Sequence, residues 1–385
     1  MQGFLYAARS RTLLGASRGF SSSAAVLANR AVVYSAPGDP RAVLRTTTFP
    51  DLPHPAAGAV NVQVMLAPVN PSDINVVEGV YPARPAPTHA LAPGHALPEP
   101  LFVAGNEGLA RVTAVGPGVQ GLAEGDCVVM AGQQLGTWAS ARSLAAEDVV
   151  KVPPAVSEVN AATMTVNPPT AYNMLHDFVK LEEGDWVMQN GANSAVGQAV
   201  IQIAAREGIK TLNFVRNRDN LDTLKEQLKS LGATEVLTYD ELNDKKLRER
   251  VRTLTGGKEI RLLLNCVSGP ATTHMVRLLG ADAHLVSYGA MSKQPLALPT
   301  GAFIFKNLAC HGFWQSRWYA QHSRAEREAL LAKIAGMQLK EPEHEIVTIP
   351  AQESDAQATE RVRSVMETLS KGQYGKKILL KIEQP

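Results

Sequence analysis

Between residues 31 and about 160 apolar and polar positions alternate in short runs that glycine and proline interrupt every few residues. Val60-Asn61-Val62-Gln63-Val64-Met65-Leu66 and Leu109-Ala110-Arg111-Val112-Thr113-Ala114-Val115 carry the period of two expected of strands with one buried face. Gly116-Pro117-Gly118-Val119, and Glu124-Gly125-Asp126 ahead of Cys127-Val128-Val129, read as turns between such strands. From about Ala161 the rhythm changes to strand, helix, strand. Strands are predicted at Asp185 to Gln189, Thr211 to Val215, Glu235 to Leu237, Arg261 to Val267 and His284 to Tyr288. Helices are predicted at Ala195 to Arg206 and Leu221 to Leu231. Repeated βαβ units imply a Rossmann-type, doubly wound parallel sheet. After Glu345 one strand, a helix from Asp355 to Ser370 and a strand from Lys377 to Ile382 are expected to return to the first module. The fold class is therefore α/β, with a doubly wound domain over residues 161–344 inserted in a β-rich domain of residues 28–160 and 345–385. Six prolines between Pro82 and Pro100, with His89 and His95 among them, predict an irregular surface loop.

The length of 385 residues suits two such domains. Thirty-eight basic residues against thirty-six acidic ones leave a formal charge of +2, which provides no basic footprint for nucleic acid and no polybasic membrane anchor. Cys127, Cys266 and Cys310 lie too far apart in sequence for a disulfide framework or a CxxC metal knuckle, so a reducing compartment is expected. No apolar run reaches the ~18 residues of a spanning helix; Val159 to Leu175 is interrupted by Asn167, Pro168 and Pro169.

The N-terminus changes this picture. Residues 1–38 contain no acid, while Arg9, Arg11, Arg18 and Arg30 are interleaved with Ser10, Ser17 and Ser21 to Ser23, the composition of a mitochondrial transit peptide. Arg18-Gly19-Phe20 followed by Ser21-Ser22-Ser23 resembles a processing site with loss of an octapeptide from Phe20 to Leu27. The transit segment is then residues 1–27, and the expected location is the mitochondrial matrix.

Candidate chemistry begins at Gly191-Ala192-Asn193-Ser194-Ala195-Val196-Gly197, which joins a predicted strand to an apolar helix. Small residues there let backbone N–H groups approach a pyrophosphate at the positive helix end, although the strict GxGxxG spacing is absent. About twenty residues on, where an NAD site would present a carboxylate to the ribose, stand Arg216 and Arg218, which suit the 2′-phosphate of NADP.

A β-module, a GAxxxVG dinucleotide turn and a return to the first module resemble the medium-chain dehydrogenase/reductase superfamily, whose first module is GroES-like. Gly105-Asn106-Glu107-Gly108 stands where zinc-dependent members have Gly-His-Glu, and there is no cysteine cluster, so no zinc is expected. More specific segments resemble the mitochondrial trans-2-enoyl-thioester reductases of type II fatty acid synthesis. They are Asn70-Pro71-Ser72-Asp73-Ile74-Asn75 followed by Gly79 and Tyr81, Gly136-Thr137-Trp138, and Val166-Asn167-Pro168-Pro169-Thr170-Ala171-Tyr172. Val215-Arg216-Asn217-Arg218, Ser287-Tyr288-Gly289-Ala290-Met291-Ser292-Lys293-Gln294-Pro295 and Gly312-Phe313-Trp314 complete the set.

This resemblance implies that Tyr81 is the proton donor. It implies NADPH contacts from Asn167, Asn193, Ser194, Ala195, Val196, Arg216, Asn217, Arg218, Tyr288, Gly289, Ala290, Met291, Phe313, Trp314, Gln315 and Lys376, with Lys377 adjacent to the last. The implied substrate is a 2-enoyl thioester on acyl carrier protein or CoA, and the implied assembly is a homodimer paired at the edge of the nucleotide-binding sheet. A zinc-free NADPH quinone oxidoreductase would share the cofactor residues without needing the Tyr81 motif. A catalytically silent NADPH-binding module would keep the fold alone.

Overall fold

The computed structural model describes residues 28–371 and 376–385. The expected transit segment lies outside the described residues. Six parallel strands form one sheet in the order Glu235–Thr238, Lys210–Val215, Trp186–Asn190, Ile260–Asn265, His284–Ser287, Ala309–Gly312. Helices cover this sheet, so its central strands are buried and nearly continuously apolar: Trp186–Asn190 is buried at every position. Ala309–Gly312 was not foreseen. Its four residues alternate between half-buried and exposed and carry no apolar run, because it is the edge strand.

A seven-stranded sheet unites the two ends of the chain. Ala59–Pro68 pairs antiparallel with Leu109–Val115, Ala141–Ala145 and Lys377–Ile382, and the last runs parallel to His344–Ile349. The helix Asp355–Ser370 joins those two terminal strands. Ser354 caps it in a capping box with Gln357, and it buries Ala358, Val362, Val365 and Met366, the spacing of one helical stripe, against Val60, Val62, Ile378 and Leu380. The expected return of the chain to its first module is thus built from one apolar core.

The segment expected to be an irregular loop between Pro82 and Pro100 is in good part a hairpin. Thr88–Ala92 pairs antiparallel with His95–Val103 around Pro93-Gly94, where Gly94 has φ +78°. Leu91, Ala92, Leu101 and Val103 pack on Ala31, Val33 and Phe49. Two register shifts break the ladder, which is how an edge ribbon accommodates prolines that lack a donor. The hairpin joins Arg45–Pro50 and Ala28–Tyr34 in a four-stranded sheet. Between the modules, the helix Arg324–Gly336 sets Leu330, Leu331 and Ile334 against Leu66, Leu109, Val159, Met164 and Leu379. Among the described residues no helix is long and apolar enough to cross a membrane.

Candidate active site

The strand Trp186–Asn190 ends in Gly191, whose φ of +60° turns the chain, and the helix Ala195–Arg206 starts two bends later. A Cβ on Gly191 would lie 2.5 Å from Cys266 Sγ, and one on Gly197 would lie 2.6 Å from the Ala192 carbonyl oxygen. Glycine at both positions lets helix and strand close up. Ser194 Oγ accepts from Gly197 N–H at 3.1 Å as N-cap. The N–H groups of Asn193, Ala195 and Val196 find no acceptor among the described residues. A helix start with unspent donors is an anion cradle, and its place fits a dinucleotide pyrophosphate.

At the end of the neighbouring strand Arg216 is exposed and Arg218 half-buried. Neither makes an ion pair among the described residues, and Arg218 Nε is buried without a partner. Asn217 between them donates to Asp240 at 2.9 Å. Tyr239, stacked on Phe214, accepts from Gly191 N–H at 2.8 Å, and burial raises its hydroxyl pKa to about 12. Tyr288 N–H donates to Asn265 O, and its hydroxyl oxygen is buried beside Cys266 and Ser194 without completing a hydrogen bond. Gly289 packs against the Cys266 carbonyl, where a Cβ would sit 3.2 Å away. Ala290 and Met291 are exposed at the rim, with Met291 N–H donating to Cys266 O. Two arginines free of carboxylates and two buried donors lacking partners fit an NADP-type dinucleotide on this surface.

Tyr81 follows the helix Pro71–Val77. Gly79, at φ +79°, reverses the chain where a Cβ would meet Pro37, and the N–H groups of Val80 and Tyr81 both donate to Asn75 O. The loop is therefore pinned, and it presents the phenol to the other module. Trp314 Nε1 donates to Tyr81 Oη at 2.8 Å with the rings edge to face, 6.0 Å between centroids. Burial raises the Tyr81 pKa, opposed by the Trp314 hydrogen bond. Phe313 N–H donates to Ser287 O, and Gln315 is buried with its Oε1 accepting from Asn173 at 3.2 Å. The segment Phe313 to Gln315 thus faces both the Tyr81 loop and the helix that begins at Asn167.

Sequence reasoning missed a buried polar cluster beneath this site. Asn70 Nδ2 donates to Glu107 Oε2 at 2.8 Å, and Glu107 Oε1 accepts from the N–H groups of Thr165 and Val166 at 2.8 and 2.9 Å. Asn70 Oδ1 accepts from Asn167 Nδ2 at 3.2 Å and from Lys377 Nζ. Asp73 Oδ2 accepts from Asn70 N–H at 2.8 Å. Burial raises the pKa of both carboxylates, Asp73 to about 7, and lowers that of Lys377. Lys376 is exposed, whereas Lys377 reaches Asn70, so it is the second of the pair that joins this cluster. The available signal was Gly105-Asn106-Glu107, read only for the histidine it lacks. Among the described residues no group of three or more His, Cys, Asp and Glu side chains is placed to hold a metal ion, and His89 and His95 belong to no such group.

A β-rich module completed by the strands His344–Ile349 and Lys377–Ile382, with a six-stranded parallel sheet between its two chain segments, is the architecture of the medium-chain dehydrogenase/reductase class. Comparison agrees at two levels. Residues 56–154 match the alcohol dehydrogenase GroES-like domain, and residues 195–335 match the zinc-binding dehydrogenase family. The chain is 41% identical over 299 residues to the mitochondrial enoyl-acyl-carrier-protein reductase of Schizosaccharomyces pombe, covering 76% of this chain and 78% of that protein. It is 40% identical over 322 residues to the human protein of the same name, covering 84% and 82%. The mitochondrial 2-enoyl thioester reductase Etr1p/Etr2p heterodimer of Candida tropicalis superposes with a TM-score of 0.84 at 33% identity, over 92% of this chain and all of that one. The chain belongs to the mitochondrial enoyl-acyl-carrier-protein reductase family.

Proposed function

We propose that this chain reduces trans-2-enoyl thioesters to saturated acyl thioesters with NADPH. The observation that carries the reading is the Trp314 to Tyr81 hydrogen bond. Tyr81 Oη accepts from the indole, so its own O–H proton is directed elsewhere and is available to a substrate. Burial keeps the phenol protonated at neutral pH, and the indole N–H stabilises the oxygen once the proton has left. A structure of Etr1p with NADP and crotonyl-CoA shows that a relative sharing this fold holds both classes of ligand.

NADPH, when bound, supplies the hydride that adds to Cβ of the enoyl group. Asn193 to Val196 would hold its pyrophosphate and Arg216 to Arg218 its 2′-phosphate. Asn167, Tyr288 to Met291, Phe313 to Gln315 and Lys377, in place of Lys376, would line the rest of its site. The remaining chemistry belongs to the protein, which stabilises the enolate that forms and delivers one proton from Tyr81 to Cα. Tyr81→Phe keeps the ring and removes the proton, so kcat should fall by roughly 10²–10⁴ with NADP⁺ binding intact. Near-normal turnover of that variant would remove Tyr81 from the reaction. A quinone oxidoreductase would need no such phenol, and reduction of quinones in preference to crotonyl-CoA would favour that alternative.

The finer reading is a matrix enzyme, trimmed near Ala28, that takes its substrate from acyl carrier protein. Its domains divide near residues 160 and 344. It pairs with a second copy through Ala309–Gly312, whose outer edge is open, beside a helix that exposes Phe303, Ile304 and Phe305.

A further inference from the structure

The polar cluster under the site has a direction, because two of its members leave no freedom to the others. Lys377 Nζ can only donate, so the part of Asn70 that it meets is Oδ1. The opposite end of the Asn70 amide is then Nδ2, and Glu107 Oε2 accepts from it. Glu107 is fully buried and makes no ion pair among the described residues. Its other oxygen is engaged by the Thr165 and Val166 N–H groups and by Thr165 Oγ1 at 3.2 Å. The helix that carries Asn167 begins directly after those two residues. Asn167 spends an amide hydrogen on Asn70 Oδ1, which turns its own Oδ1 away from the cluster as an acceptor.

We propose that Glu107 is a positioning residue. By fixing the Asn70 amide and the start of the Asn167 helix, it sets Asn167 and Lys377 for the nicotinamide half of the dinucleotide. The proposal rests on the cofactor reading above and adds a residue that the reading did not contain. Glu107→Gln replaces one acceptor oxygen by a donor NH₂, so either Asn70 Nδ2 or the Thr165 and Val166 N–H groups must face another donor. Arg216 and Arg218, which the cofactor reading assigns to the adenosine half, make no hydrogen bond to any member of this network among the described residues.

The test compares equilibrium binding of NADP⁺ with that of adenosine 2′,5′-bisphosphate, which carries the 2′-phosphate and lacks the nicotinamide. Glu107→Gln should weaken NADP⁺ by about tenfold, the loss of one to two hydrogen bonds, and leave the bisphosphate unchanged. Asn70→Ala, which spares the bonds from Glu107 to Thr165 and Val166, should show the same split and covers the case in which Glu107→Gln fails to fold. Combining Asn70→Ala with Asn167→Ala should cost no more than the larger single effect, because both act through one chain of bonds. Equal weakening of the two ligands, or unchanged NADP⁺ affinity, would overturn the role of Glu107. A wild-type chain that bound neither ligand would overturn the cofactor reading itself.

Discussion

Arg216 and Arg218 provide the sharpest account of cofactor choice. Both guanidinium groups stand at the end of the strand Lys210–Val215 without a carboxylate partner among the described residues, and Arg218 has a buried Nε with nothing to bond. A charge-assisted hydrogen bond contributes about 1.5 to 3 kcal/mol, and solvent screens the exposed Arg216, so the contribution of one such bond is used for the pair. Replacing both by alanine should then weaken NADPH by roughly 10- to 100-fold. NADH has no 2′-phosphate, and its affinity should not change. Titration of NADPH and NADH fluorescence at low and high salt measures both cofactors, and the wild-type preference for NADPH should shrink as salt rises. Thermal stability should move little, because neither side chain supports the core. Equal loss for the two cofactors, or a wild-type preference insensitive to salt, would refute the assignment.

Two further outcomes follow from the same geometry. Burial raises the Asp73 pKa from 3.8 to about 7, so between those values the native chain retains a proton that the unfolded chain releases, and stability falls as pH rises through that window. Asp73→Asn keeps an acceptor for Asn70 N–H and removes the charge; its stability relative to wild type, from urea unfolding at pH 5 and pH 8, should improve toward the higher pH by an amount on the order of 2–3 kcal/mol at most, and a pH-independent difference would contradict the buried charge. Gly197→Ala would put a Cβ 2.6 Å from the Ala192 carbonyl oxygen, a backbone obstacle that cannot swing away. It should cost about 1–3 kcal/mol or more and lower both Tm and NADP⁺ affinity, and a wild-type Tm would show that the strand and helix have room to part.

What the sequence conveyed and what it hid differ in physical kind. The central parallel strands were legible because burial on both faces leaves uninterrupted apolar runs such as Leu262-Leu263-Leu264, and the dinucleotide turn because small residues are required where helix and strand approach. The place of Arg216 and Arg218 just after the second parallel strand was legible because its distance from that turn is set by one βα unit. Ala309–Gly312 was hidden because an edge strand needs no apolar pattern. The hairpin after Tyr81 was hidden because prolines that break a central strand are tolerated in a bulged ribbon. The contacts of Glu107 and Asp73 were hidden, and the choice between Lys376 and Lys377 stayed open, for another reason: a charged residue in a short polar motif looks solvated until the fold brings Glu107 and Lys377, the latter 307 positions from Asn70, together around that amide.

The most direct test of the central claim follows the atoms. The chain is incubated with NADPH and crotonyl-CoA in D₂O, and the product is examined by mass spectrometry and NMR. The account predicts one NADPH oxidised per butyryl-CoA formed, with protium from the cofactor at Cβ and a single deuterium from solvent at Cα, and a rate cut by roughly 10²–10⁴ in Tyr81→Phe. No butyryl-CoA, deuterium at Cβ in place of Cα, or an unchanged rate in Tyr81→Phe would contradict it.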